Sequence, residues 1–92
     1  MSEYHKFVVD YTGDVPMEFI GVFDKYLEKD PTKDNLASAT EWARKKVSEI
    51  GIKAYVSSCY CDMQVKIFRV LHGEYWSVHL HTKLFPKQTS DQ

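Results

Sequence analysis

The spacing of apolar residues changes along the chain, and the changes mark out its elements. From Tyr4 to Tyr11, β-branched and aromatic residues (Phe7, Val8, Val9, Tyr11) crowd together and run into the turn cluster Thr12-Gly13-Asp14, which predicts a first strand. A helix follows, with Asp14 placed to cap it and Pro16 suited to its first turn, where a missing N–H needs no partner. Phe19, Ile20, Phe23, Tyr26 and Leu27 recur at helical spacing as far as Asp30-Pro31. Thr32 to Asn35 form a polar loop with several candidate N-caps. The stripe Leu36, Ala39, Thr40, Ala43, Val47 and Ile50 then predicts a second helix, closed by Gly51. On its outer side Glu41 and Lys45 stand at i, i+4, and Arg44, Lys45 and Lys46 bring toward its C-terminus the charge the helix dipole favours.

Beyond Ile52 the period becomes two. Over Lys53 to Cys59, Ala54 and Val56 take one face and Tyr55, Ser57 and Cys59 the other. Over Met63 to Leu71, Met63, Val65, Ile67 and Leu71 share a face. His72-Gly73-Glu74 predicts a tight reversal. After it Trp76, Val78, Leu80 and Leu84 alternate with Tyr75, Ser77, His79, His81 and Lys83, the pattern of a half-buried strand. The predicted order is strand-helix-helix-strand-strand-strand. That is an α+β fold with two helices packed on one face of a four-stranded, mainly antiparallel sheet.

Composition fits this reading. The 92 residues make a single domain, 1–92, in which 86–92 reads as a polar, mobile tail. Hydrophobic residues at 43% against 27% charged place the chain among globular sequences. A core this small gives modest stability, so self-association is expected. No run reaches the roughly 20 apolar residues of a membrane span, and the first residues lack the basic-then-apolar order of a secretion signal, so the expected location is the cytoplasm and no membrane partner is expected. Two cysteines, Cys59 and Cys61, are too few for a disulfide framework and read as free thiols. The net charge of −1 hides an asymmetry: residues 1–41 hold nine acids against four bases, and residues 42–92 hold eight bases against four acids.

Few residues point to reaction chemistry. Cys59, Cys61, His79 and His81 have the side chains of a zinc site, and the alternation puts all four on the sheet face away from the helices. In a meander, however, a middle strand separates the two pairs by roughly 9.5 Å, too far for one ion, so no metal and no cofactor are expected. A Cys–His nucleophilic pair has nothing to single it out, Gly13, Gly21, Gly51 and Gly73 make no phosphate loop, and the expectation is a protein that is not an enzyme. The outward sheet face gathers Lys53, Tyr55, Lys66, Phe68, Tyr75, His79, His81 and Lys83. Aromatic rings among bases suit single-stranded nucleic acid. The apolar members of that face, with Tyr55, Phe68, Val70 and Tyr75 foremost, favour a homodimer interface over nucleic-acid binding.

The acids form a further pattern. On a helical wheel Asp14, Glu18, Asp24 and Glu28 fall on the outer half of the first helix, and Asp10, Asp30 and Asp34 extend the row beyond its ends. Carboxylates at such intervals can stand in for backbone phosphates on a surface built to hold DNA. With its length, its single α+β domain and this row of acids, the chain resembles the Arn family of T-even phage anti-restriction proteins. Members of that family are dimeric mimics of double-stranded DNA that occupy the DNA-binding surface of a host restriction enzyme. The resemblance implies a phage-type accessory protein in the host cytoplasm that inhibits a host DNA-binding or restriction protein. Asp10, Asp14, Glu18, Asp24, Glu28, Asp30 and Asp34 would be its phosphate mimics, and the sheet face its dimer interface. The basic second half departs from the pattern of a DNA mimic. It keeps open the alternative of a nucleic-acid-binding module using Tyr55, Lys66, Phe68, Tyr75, His79 and Lys83.

Overall fold

The computed structural model describes residues 3–71 and 73–86. Its elements follow the predicted order: β1 (Glu3–Gly13), α1 (Met17–Asp24), α2 (Lys33–Ile50), β2 (Tyr55–Cys59), β3 (Gln64–Leu71) and β4 (Glu74–Pro86). The four strands make one sheet in the order β1-β4-β3-β2, antiparallel throughout. β2, β3 and β4 form a meander, and β1, first in sequence, closes the sheet against the last strand in a continuous register from Glu3↔Pro86 to Gly13↔Trp76. Both helices cover the same face.

The core lies between the two layers. Phe7 of β1, Val65 and Ile67 of β3, and Trp76, Val78 and Leu80 of β4 meet Phe19, Val22 and Phe23 of α1, Tyr26, and Leu36, Ala39 and Ala43 of α2. Ala39 and Ala43 are fully buried in this core. Thr40, also buried there, is satisfied by donating its hydroxyl to the Leu36 carbonyl at 2.7 Å.

Several boundaries differ from expectation, for local reasons. Pro16, not Asp14, is the N-cap of α1, and no side chain caps it. A short turn from the Val15 N–H to the Gly13 carbonyl already holds the chain there, and the Pro16 carbonyl accepts from the Phe19 and Ile20 amides. α1 ends at Asp24 and not at Asp30-Pro31, because the chain tightens into i→i+3 turns (Tyr26 to Phe23, Leu27 to Asp24, Lys29 to Tyr26). Three residues per turn keep Phe23 and Tyr26 on one side, and both are buried. Thr32 caps α2, its hydroxyl accepting from the Asn35 amide at 3.1 Å, and Gly51 closes it at φ 78. Ile50, expected in the buried stripe, is exposed at the end of α2, and Lys45 and Lys46 pair with Glu49 in place of a Glu41–Lys45 pair.

In the meander, Lys53 precedes β2, and Cys61 and Met63 lie in the β2–β3 turn, where Met63 takes φ 53. Leu84 is exposed because the β1–β4 ribbon runs past the helical layer, giving a molecule of 51 × 25 × 20 Å. Pro86 belongs to β4. The rest of the expected tail, 87–92, together with His72 of the expected reversal and the facing of the Leu71 side chain, lies outside the described residues.

Candidate functional site

The face of the sheet opposite the helices has no layer over it among the described residues, and strand register fixes what it displays. Outward positions are Tyr4, Lys6, Val8, Asp10 and Thr12 on β1, and Tyr75, Ser77, His79, His81, Lys83 and Phe85 on β4. β3 adds Gln64, Lys66, Phe68 and Val70, and β2 adds Tyr55, Ser57 and Cys59. At one end Tyr55 pairs with Phe68 and Val70 with Tyr75, and the Tyr55 and Phe68 rings stack at 5.2 Å between centroids. The four residues expected at a dimer interface therefore do form one patch, with Tyr55 and Val70 about two-thirds exposed (66% and 65%). At the other end the rings of Tyr4 and Phe85 stack at 5.9 Å.

Cations lie between these aromatic ends. Lys6 is directly opposite Lys83, and the Lys66 ammonium sits 5.5 Å from the centre of the Phe68 ring. Like charges in direct cross-strand register destabilise a sheet, so the Lys6–Lys83 pair marks a place where an anion would be welcome. Among the outward strand positions only Asp10 carries a carboxylate.

At the centre, Asp10, His79 and His81 come together. Asp10 is opposite His79 in register, its Oδ2 lies 3.1 Å from His81 Nε2, and the two imidazoles stack at 4.6 Å. His79 Nε2 lies 3.2 Å from the Gln64 side-chain oxygen. Partial burial lowers the pKa of His79 below its ordinary 6.5; the neighbouring charges of His81 and Lys66 push the same way, and Asp10 opposes them. The expected separation of cysteines from histidines is observed, since β3 lies between Cys59 on β2 and the histidines on β4. Cys59 instead reaches toward Asp62, at 3.6 Å, and both thiols are free and exposed.

The seven acids do not form one row. Asp10 points from the opposite side of the sheet to the helices. Of the remainder only Glu18 and Asp24 lie on α1. Asp14 precedes it, Glu28 follows it in the turns, Asp30 lies in the irregular stretch before α2, and Asp34 is in the first turn of α2. All six are exposed, with Lys25, Lys29 and Lys33 among them. Asp24 accepts from the Tyr11 hydroxyl at 2.6 Å, closer than the Ile20 carbonyl at 3.2 Å, and burial together with this carboxylate raises the Tyr11 pKa. An open groove of about 280 Å³ between the helices, floored by Val22 and Trp42, has Glu18, Lys25 and Lys46 at its rim.

The residues that sequence reasoning missed here are Asp10 as a partner of the histidines, Lys6 as a partner of Lys83, and Gln64. The first two carried a signal, because alternation with buried Phe7 turns Lys6 and Asp10 outward; what lies beside them depends on the long-range pairing of β1 with β4.

No family model matches the chain, and comparison with curated proteins and with solved structures finds no significant match. Fold and site together define a two-layer α+β protein with an open, aromatic and basic sheet face. No helix among the described residues is long and apolar enough to cross a membrane.

Proposed function

We propose that this chain is a non-enzymatic binding protein whose open sheet face takes single-stranded nucleic acid. The observation that carries this reading is the make-up of that face. Lys6, Lys66 and Lys83 stand between two stacked aromatic pairs, and the one outward carboxylate, Asp10, is occupied by His81. A phosphate between Lys6 and Lys83 relieves their repulsion, and exposed rings offer stacking surfaces to splayed bases. A duplex keeps its bases stacked inside and gains little from such rings, so single strands are the expected ligand. The test is fluorescence anisotropy with labelled single- and double-stranded oligonucleotides at low salt, beside light scattering for mass. The expected result is binding that favours single strands; no change with either oligonucleotide refutes the reading.

The exposure of Asp14, Glu18, Asp24, Glu28, Asp30 and Asp34 supports a second reading, a DNA mimic that inhibits a host DNA-binding or restriction protein. In that arrangement Tyr55, Phe68, Val70 and Tyr75 join two copies sheet to sheet, and both helical layers face outward. Asp10 drops out of the mimic, because it would lie in the seam. A dimer that ignores oligonucleotides, and whose inhibition of the partner is lost in the folded Glu18→Lys, Glu28→Lys double variant, would establish this reading in place of the first. A monomer in solution excludes it.

A further inference from the structure

From the geometry at the centre of the open face we infer that Asp10, His79 and His81 form a binding site for a divalent transition metal of the zinc class. One ligand atom from each of the three lies within 4.8 Å of the other two, on two neighbouring strands. Two donors bound at about 2.1 Å with tetrahedral angles stand roughly 3.4 Å apart. Asp10 Oδ2 and His81 Nε2, at 3.1 Å, are already close to that spacing, and a ring nitrogen of His79 lies within 4.8 Å of a ligand atom of each. The donor set, two imidazoles and a carboxylate, suits zinc, cobalt or nickel better than calcium or magnesium, which prefer all-oxygen shells.

The surroundings fit a ligand role. The Gln64 side-chain oxygen can only accept, and in the tautomer that donates to it from His79 Nε2, at 3.2 Å, the Nδ1 lone pair is free for a metal. Histidine ligands usually hand their other N–H to such an acceptor, which fixes tautomer and ring orientation. Three protein ligands leave at least one coordination position for water or for a ligand oxygen on the same face as Lys66. The cysteines are not in this group of ligand atoms, and β3 lies between Cys59 and the histidines.

The site does not depend on the nucleic-acid reading, and its test contains no nucleic acid. Chelator-treated protein is titrated with Co²⁺ and Zn²⁺ at pH 7.5, followed by visible absorption and by calorimetry. The expected result is one equivalent bound. Asp10→Asn and His81→Gln should each weaken binding more than tenfold, and Gln64→Ala about tenfold, within the range for outer partners of a metal site. Cys59→Ser and Cys61→Ser should leave the affinity unchanged. Circular dichroism checks that each variant is folded, and His79→Gln is a second ligand deletion if one of the others unfolds. Absence of binding at millimolar metal overturns the inference, as does binding that survives in the folded Asp10 and histidine variants but disappears with the cysteines.

Discussion

The charge of the open face sets a measurable salt dependence for nucleic-acid binding. Three lysines, Lys6, Lys66 and Lys83, occupy outward strand positions there. If each neutralises one phosphate of a single strand, log K falls with log salt at a slope of about −0.7 per phosphate, or about −2 in total, which is close to a 20-fold loss of affinity from 50 to 200 mM salt. Replacing Lys66 with Gln removes one of the three contacts. The slope should then become about −1.4, and the loss over the same range about sevenfold. Lys45→Gln, on the exposed side of α2 and far from the open face, should leave the slope unchanged. The assay is fluorescence anisotropy of a labelled oligothymidine at several salt concentrations. A slope near zero, or one that responds to Lys45 and not to Lys66 and Lys83, would refute the assignment of the sheet face.

Other expectations follow from the same structure. Phe68→Ala should weaken oligonucleotide binding by about 1–3 kcal/mol, the worth of one stacked base, with little effect on the salt slope. Gly13→Ala should lower stability by more than the ~1–2 kcal/mol cost of a left-handed φ, because a Cβ there would collide with the Tyr75 carbonyl oxygen at the β1–β4 pairing; denaturant unfolding will measure it. Thr32→Ala should cost about 1 kcal/mol by removing the cap on the Asn35 amide, read as a fall in melting temperature of roughly 4–8 °C for a domain of this size. In metal-free protein, the lowered pKa of His79 means the unfolded chain binds the proton more readily than the folded one. Stability should therefore be complete above 6.5 and fall as pH drops below it toward the folded value; His79→Gln should flatten that part of the profile, and an unchanged profile would contradict the shift.

The periodicities of the chain alone determined the number, type and order of the elements and the two-layer arrangement. Switching from a 3.6-residue to a 2-residue repeat is a local property, and so is the turn chemistry at Gly13 and Gly51. The outward grouping of Tyr55, Phe68, Val70 and Tyr75 was legible for the same reason, since alternation fixes a residue's face and a short meander leaves little freedom in register. Element ends were less legible. The stop of α1 at Asp24 follows from the burial of Tyr26, and the exposure of Leu84 from the point where the helical layer ends, neither of which a local pattern contains. Only the tertiary structure decided what lies beside what across the sheet. Asp10 and His81 are 71 residues apart in sequence and 3.1 Å apart in space, because the first strand closes the sheet against the last. That single long-range pairing took Asp10 out of the row of acids and placed it with two histidines. It also set Lys6 against Lys83. The chemistry of the open face therefore depends on a strand register held by the Phe7, Val78 and Leu80 core beneath it, which no window of the sequence could display.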